Sequence, residues 1–598
     1  MKGIGFVGFG LSTIVNLGVM QLAAPQIAWA DQPLSVVYPP DGQETTAAQI
    51  FLIGTAPAQG VVTVNGQPID RSPAGHFAPS FPLQFGENTF TLRYQDQTLT
   101  IRVNRTGAAP ANTLTTFLPE SLSPAVNVSR LVNEPVCFSA IAPAQAQVTV
   151  TLPNQTIPLL PQTAPNDLPP NSAVLTFSNQ PIAASNSAIT YQGCAIAPQP
   201  GNLGAPTFQL TLNGTTQSLP GPGQVTILSP VQLQVVEVTA ESGTARSGPS
   251  TDYSRLTPLP QGTRASVTGQ EGEWLRLDYG GWIRASETQV IPNASPSQTL
   301  IRSIRAQPKG DWTEIAFPLQ TPVPISVQQG DRTFTLTLYN TTAQTDTILL
   351  NDDPVIERLD WQQMAPGQVQ YRFNLKSAQQ WGYKLRYEGT TLILSLKHPP
   401  QLTDRTKPLA GTRILLDPGH GGPEDLGSRG PTGYPEKEVA LIVAQLLRDR
   451  LEAKGATVLM TREADIDLYP QDRAAMIDQL EPTIAISLHY NALPDDGDAI
   501  HTAGIGSFWY NAQAHSLAMF LHHYLVDKLD RPSYGVFWNN LALTRPTVAP
   551  SVLLELGFMI NPTEFEWIVD PQAQEHLADA LADAITAWMQ QQTQASSQ

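Results

Sequence analysis

The sequence predicts a multidomain protein in which several all-β modules precede one α/β catalytic domain with a mainly parallel sheet. Length is the first reason, since 598 residues exceed the roughly 250 to 300 that one hydrophobic core organises. Texture is the second. Between residues 33 and 398, short runs alternate apolar and polar positions, as in Val61-Val62-Thr63-Val64 and Thr89-Phe90-Thr91-Leu92, with turn signals such as Asn65-Gly66 and Gly86-Glu87-Asn88 between them. The third is a change of period at Gly411. There Ile414-Leu415-Leu416 reads as a buried strand, and Val439, Ile442, Val443 and Leu446 recur at helical spacing until Gly455 stops the helix. Buried strands at Val458-Leu459-Met460, Ile484-Ala485-Ile486 and Val552-Leu553-Leu554 then alternate with helical stretches over 512–529 and 572–591.

Composition narrows the class of partner. Apolar residues make up 41% of the chain, enough to build packed cores, while 53 Pro, 43 Gly and only 14% charged residues suit short strands and turns. The formal charge is -17 with no basic run, so electrostatic capture of nucleic acid or anionic lipid is disfavoured and a carbohydrate or peptide substrate fits better. Lys2 is the only charge before Asp31, an apolar stretch follows it, and Ala28-Trp29-Ala30 forms an A-x-A cleavage pattern. Residues 1–30 therefore read as a removed secretory signal, with an uncleaved anchor as the competing reading. No later segment is long and apolar enough to span a bilayer. The expectation is a secreted, periplasmic or wall-associated protein without stable membrane insertion after signal removal. In such an oxidising compartment Cys137 and Cys194, the only two cysteines, read as a disulfide, against two separate buried thiols.

The β region divides by local pattern. Residues 31–108 resemble bacterial immunoglobulin-like modules through the V-N-G turn at Val64-Asn65-Gly66 and a G-x-N-x-F strand start at Gly86. Residues 109–230 read as a β domain of unknown type that contains the cysteine pair. In 233–292, Thr244 to Ser250 (T-A-R-S-G-P-S), a Leu-Pro-Gln-Gly turn, Glu273-Trp274-Leu275 and Gly281-Trp282-Ile283 resemble a bacterial SH3-like barrel, which implies binding of cell-wall peptide. Trp274 is the candidate contact there, because a rigid aromatic offers area at small entropic cost, while Trp282 reads as core. Residues 298–398 are similar in order and texture to the AMIN-type β modules that precede wall amidases.

Chemistry concentrates in residues 411–591. Parallel sheets gather ligands at the carboxyl ends of their strands. Asp417-Pro418-Gly419-His420-Gly421-Gly422, Ser487-Leu488-His489-Tyr490-Asn491 and Leu554-Glu555-Leu556-Gly557-Phe558 all lie at such ends. A Glu inside an apolar strand is costly unless paired or metal-bound, which singles out Glu555.

These motifs resemble the zinc-dependent N-acetylmuramoyl-L-alanine amidases of the AmiC/CwlV type. They are joined by Glu436-Lys437 ahead of a helix, Arg473, and Asn561-Pro562 after the last strand. The resemblance implies that His420, Glu436 and His489 hold a zinc ion (Zn2+), that Glu555 is the catalytic carboxylate, and that the substrate is peptidoglycan. The bond it implies joins the lactyl group of N-acetylmuramic acid to L-Ala of the stem peptide. Glu436 is preferred to Glu438, Glu424 and Asp425 because Lys437 follows it at the helix start. Glu438 remains its main competitor, since the loop after His420 is one residue longer than in the family. The long helical insertion that plugs some relatives has no counterpart in the short stretch Leu493 to Thr502. Arg545 and Asn491 are further candidates for substrate contact, Arg545 as a cation for a substrate carboxylate or an oxyanion. Two other classes compete: a non-catalytic wall-binding protein, and a zinc peptidase acting within the stem peptide. The absence of H-E-x-x-H removes one large peptidase class.

Overall fold

The computed structural model describes residues 33–107, 114–118, 120–153, 155–162, 166–181, 189–402 and 404–595. The signal expected at 1–30 lies outside the described residues.

The first module folds as sheets of five, three and two strands around Ile50, Leu52, Val62, Phe77, Leu92 and Val103. Its Asn65-Gly66 turn has positive φ at both residues (50° and 84°), the combination that a two-residue hairpin of right-handed twist requires. The second module is built on a six-stranded antiparallel sheet. Cys137 and Cys194 are directly opposed in its strands Pro135–Ala142 and Ile189–Ile196 and are disulfide-bonded. A boundary near residue 230 is crossed by one sheet: Val128–Leu131 pairs in parallel with Val225–Leu228 and antiparallel with Arg264–Glu271 of the next module. The pattern of short strands could not reveal this, because pairing partners more than a hundred residues apart leave no local signal.

Residues 299–397 form a sandwich of a five-stranded and a four-stranded sheet closed over Ile315, Phe317, Phe334, Tyr371, Phe373 and Leu394. The sandwich docks tightly on the C-terminal domain. Trp381, 2% exposed, enters the core of that domain and meets Trp588 edge-on, with ring centroids 5.4 Å apart. The chain beside it runs so close to the Val548 carbonyl that a Cβ at Gly382 would sit 2.2 Å from that oxygen. Lys397 Nζ donates to the carbonyls of Glu481 (2.9 Å), Pro482 (2.5 Å) and Val548 (3.2 Å).

Strands and helices of the C-terminal domain are numbered from its own start: β1 (Arg413–Pro418), α1 (Glu436–Ala453), β2 (Thr457–Met460), α2 (Pro470–Leu480), β3 (Ile484–Asn491), β4 (Ile505–Trp509), α3 (His515–Leu529), β5 (Ser533–Trp538), β6 (Ser551–Phe558), α4 (Pro562–Val569) and α5 (Pro571–Ala595). The sheet runs β2-β1-β3-β6-β4-β5. It is mixed, since β6 pairs antiparallel with β4 while the other neighbours are parallel. The short connection Ala492 to Gly504 turns the chain back without a crossover helix, and a direct reversal of that kind favours an antiparallel neighbour.

Strand alternation divides the two faces. Ile414, Leu416, Ile484, Ile486, Leu488, Val552 and Leu554 point to one face, under α1, α3 and α5. The helices present matching stripes, Val439, Val443, Leu447 and Leu451 on α1 and Leu577, Leu581, Ile585 and Trp588 on α5. The opposite face carries Leu415, Ala485, Phe508 and Leu553. It is covered partly by α2 and Trp312, and partly by Phe51, Ile53 and Ala78 of the first module. Tyr38 hydrogen-bonds the Asp495 carboxylate there, and Gln49 Nε2 donates to the Asp496 carbonyl at 2.6 Å. No helix among the described residues is long and apolar enough to cross a membrane.

Because Trp381 completes the core around Trp588, a fragment of residues 411–598 should melt roughly 10 °C below one of residues 298–598, given about 3–5 kcal/mol for losing a buried Trp. Thermal unfolding followed by circular dichroism reads this. Coincident melting of the two fragments would show that the sandwich adds nothing to that core.

Candidate metal centre

The centre forms where β1, β3 and β6 end. His489 lies opposite Glu555 in the register of β3 with β6, and alternation turns both side chains to the face away from α1 and α5. Pro418 pairs with Leu488 across β1 and β3, so the loop after β1 leaves the sheet beside His489. The fit there is close: a Cβ at Gly419 would lie 2.4 Å from the His489 ring.

His420 follows with φ of +58°, a left-handed conformation that L-residues adopt at a cost of about 1–2 kcal/mol. This turn sends its imidazole back over the loop. Nδ1 bonds Asp425 Oδ1 at 2.6 Å, and Nε2 approaches Glu436 Oε1 at 3.2 Å. Glu436 is the first residue of α1 and is 2% exposed. Its Oε1 also accepts from the Tyr490 amide at 2.9 Å and faces His489 Nδ1 at 3.1 Å, while Oε2 accepts from the Ser428 amide at 2.8 Å. Gly427, at φ +68°, is obligatory beside it, since a Cβ would fall 2.6 Å from Glu436 Oε2.

One donor atom from each of His420, Glu436 and His489 lies within 4.8 Å of the others. Two imidazoles and one carboxylate so arranged suit a divalent cation with a coordination position left open. Asp425, holding the other ring nitrogen of His420, fixes the tautomer that leaves Nε2 free to bind a metal. Burial works against the cationic form of His420, but Glu436 and Asp425 prevail and raise its pKa to about 9. For Glu436 burial acts upward, yet the two histidines hold it below the ordinary carboxylate range.

Glu555 stands apart electrostatically. Its Oε2 is buried without a hydrogen-bond partner. Burial first, and the negative charge of Glu436 second, push its carboxyl well above the ordinary range.

Not every residue singled out from the sequence joins this cluster. Glu438, two residues after Glu436, is exposed, and Glu424 is exposed in the loop. Asp425 touches His420 on the ring side away from the triad, a role the spacing did not suggest. Asn491 ends β3 on the same face as His489, with its Oδ1 accepting from the Ala492 amide at 2.9 Å. Arg545 lies elsewhere: it precedes β6, beyond the end of that strand remote from His420, Glu436 and His489. There Nε donates to the Leu541 carbonyl (3.0 Å), and burial and then Arg255 of the SH3-like module lower its pKa to about 10. It is therefore not placed to hold an oxyanion at the metal. Trp274 is buried at 6% exposure, with the guanidinium groups of Arg284 and Arg246 5.2 and 6.0 Å from its ring centroid. The module's own cations occupy the ring that was expected to meet a ligand. Asn561, from the last motif, caps α4 through the amides of Thr563 and Glu564.

The raised pKa of Glu555 has a thermodynamic sign. A carboxyl whose folded pKa exceeds its unfolded value of 4.5 leaves stability intact below that value, and stability is lost as the pH climbs toward the folded pKa. In the metal-free protein Glu555→Gln should therefore leave the melting temperature nearly unchanged at pH 4 and raise it progressively toward pH 8. A difference that stays constant across this range would show that the carboxyl is not held neutral.

The family described as N-acetylmuramoyl-L-alanine amidase matches residues 414–587, and the bacterial SH3 domain family matches residues 241–289. The germination-specific N-acetylmuramoyl-L-alanine amidase of Bacillus subtilis (strain 168) is 33% identical over 200 residues, covering 30% of this chain and 80% of that protein. A probable cell wall amidase, LytH, of Staphylococcus aureus is 34% identical over 189 residues, covering 31% of this chain and 62% of that protein. Among solved structures, the N-acetylmuramoyl-L-alanine amidase from Clostridium difficile 630 is 25% identical and aligns over 30% of this chain and 98% of that one, with a TM-score of 0.29. The C-terminal third carries the similarity, and through it the chain belongs to the N-acetylmuramoyl-L-alanine amidase family.

Proposed function

We propose that this protein hydrolyses peptidoglycan at the amide between the lactyl group of N-acetylmuramic acid and L-Ala of the stem peptide, with a zinc ion held by His420, Glu436 and His489. The observation that carries this reading is the convergence of those three donor sets within 4.8 Å, with Glu555 directly opposite His489. When bound, the ion would supply Lewis acidity toward a water and toward the scissile carbonyl.

The protein's own residues do the rest. Glu436 brings one negative charge to the two imidazoles and is itself fixed by two backbone amides, so the set is preorganised before any ion arrives. Glu555 takes the proton of the attacking water and passes it to the leaving amine of L-Ala. An unpartnered carboxyl oxygen in a dry setting, with a pKa raised above the ordinary carboxylate range by burial and then by Glu436, suits a group that must both accept and release a proton. Asn491, on the same face as His489, is the nearer of the substrate-contact candidates. Peptidoglycan as substrate places the activity at the cell wall, and the bacterial SH3 domain at 241–289 would bring the chain to it.

Purified full-length protein incubated with peptidoglycan should release intact stem peptides bearing a free L-Ala amine, identified by mass. A chelator should abolish the release, and Glu555→Ala should lower kcat by about 10²–10⁴-fold. Muropeptides shortened within the stem would instead point to a peptidase, and no release at all to a binding protein. Zinc content separates the two glutamates: Glu436→Ala should lose the metal and Glu438→Ala should keep it.

A further inference from the structure

Beneath the metal centre lies a buried polar network that the proposed chemistry does not use. Asp417, 1% exposed, accepts from Thr461 Oγ1 (2.6 Å) and Arg473 Nη1 (2.8 Å) on one oxygen and from Ser487 Oγ (2.6 Å) on the other. Arg462 and Arg473 are 2% and 3% exposed, and of the two only Arg473 is ion-paired with Asp417. Burying the surplus cation costs several kcal/mol unless other groups solvate it. Here backbone carbonyls do so. Arg462 donates to Pro418 O (3.0 Å), Gly419 O (2.8 Å), Lys437 O (2.7 Å) and Ala464 O (3.2 Å). Arg473 donates to Pro418 O (2.7 Å), His420 O (2.7 Å) and Leu468 O (3.0 Å).

The choice of carbonyls is informative. Three of them belong to consecutive residues, Pro418, Gly419 and His420, and turning all three toward the interior sets the path on which His420 takes its left-handed φ of +58°. A fourth, Lys437 O, belongs to the residue after Glu436, so one guanidinium of Arg462 ties the His420 loop to the first turn of α1. Ser487 lies two residues before His489 on β3 and is tied to the same Asp417. The network thus grips the backbone that carries each of the three ligands.

We propose that Arg462 and Arg473 are positioning residues for the metal site: they hold the Pro418–His420 carbonyls inward, keep His420 in its left-handed turn, and lock its Nε2 in register with Glu436 and His489. This rests on the metal-site reading above. A planar fork reaching several carbonyls at once is what Lys cannot reproduce, since its ammonium is a point charge on a flexible stem.

The test uses full-length protein, stripped of metal and titrated with Co2+ in competition with a chromophoric chelator, with visible absorption recorded at saturation. Arg462→Lys and Arg473→Lys keep the charge beside Asp417 and should fold. Each should bind Co2+ about 10–100-fold more weakly, as expected for loss of a residue that orients metal ligands, and each should show altered d–d bands even when fully loaded. Thr461→Ser, which retains its hydroxyl to Asp417 and touches no loop carbonyl, should match the unmodified chain. If the Lys variants melt lower but keep the affinity and spectrum of the unmodified chain, the arginines serve only the fold and the proposal is overturned. Should the unmodified chain itself take up no Co2+, the metal-site reading fails, which is a distinct result.

Discussion

The C-terminal domain is organised around one buried carboxylate. Glu436 sits at the first position of α1 with almost no exposure, and a charge so placed is tolerable only because two backbone amides and two imidazoles surround it. Its four neighbours come from two separate stretches: Ser428 and His420 from the loop after β1, and His489 and Tyr490 from the end of β3. Satisfying one carboxylate therefore fixes the loop, the helix start and the strand end relative to one another. Burial first, and this same charge second, raise the Glu555 carboxyl above the ordinary range. Two acids with opposite pKa displacements thus share one crevice, an arrangement that suits the proposed division between holding a cation and moving a proton.

The upstream modules are less separate from this centre than their sequence order suggests. The sandwich of residues 299–397 lends Trp381 to the catalytic core and seals its base with Lys397. The first module lies on the sheet face that bears Glu555, with Phe51, Ile53 and Ala78 packed beside Leu553, Phe508 and Tyr534. Residues more than four hundred positions upstream thus shape the surroundings of Glu555. Contacts of this kind favour a chain that holds its hydrolytic domain in a set relation to its β modules.

Much of the centre was legible in the sequence because strand ends are legible. A short apolar run followed by Gly-rich or polar residues locates the rim of a parallel sheet, and His420, His489 and Glu555 each sit at such a boundary. Helical periodicity located α1 from Val439 onward, while Glu436 at its start rested on the family resemblance. Pairing across long separations was not legible. That hid the sheet shared by the second and third modules, the antiparallel seat of β4 beside β6, and the descent of Trp381 into a neighbouring core. Burial of individual polar side chains was equally hidden. Trp274 and Arg545 have the right chemistry for ligand contact, but the first is enclosed by its own module's arginines and the second lies past the wrong end of β6. Asp425 was weighed only as a rival ligand, because the lengthened loop gave no hint that it would meet the far side of the His420 ring.

The most direct examination is a crystal structure of the zinc-loaded protein with anomalous diffraction collected on either side of the zinc edge. A single strong anomalous peak is expected about 2.0–2.2 Å from His420 Nε2, His489 Nδ1 and a Glu436 oxygen, with the Glu555 carboxylate facing it across the open coordination position. A peak bound through Glu438 or Asp425, or no peak in this crevice, would contradict the centre described here.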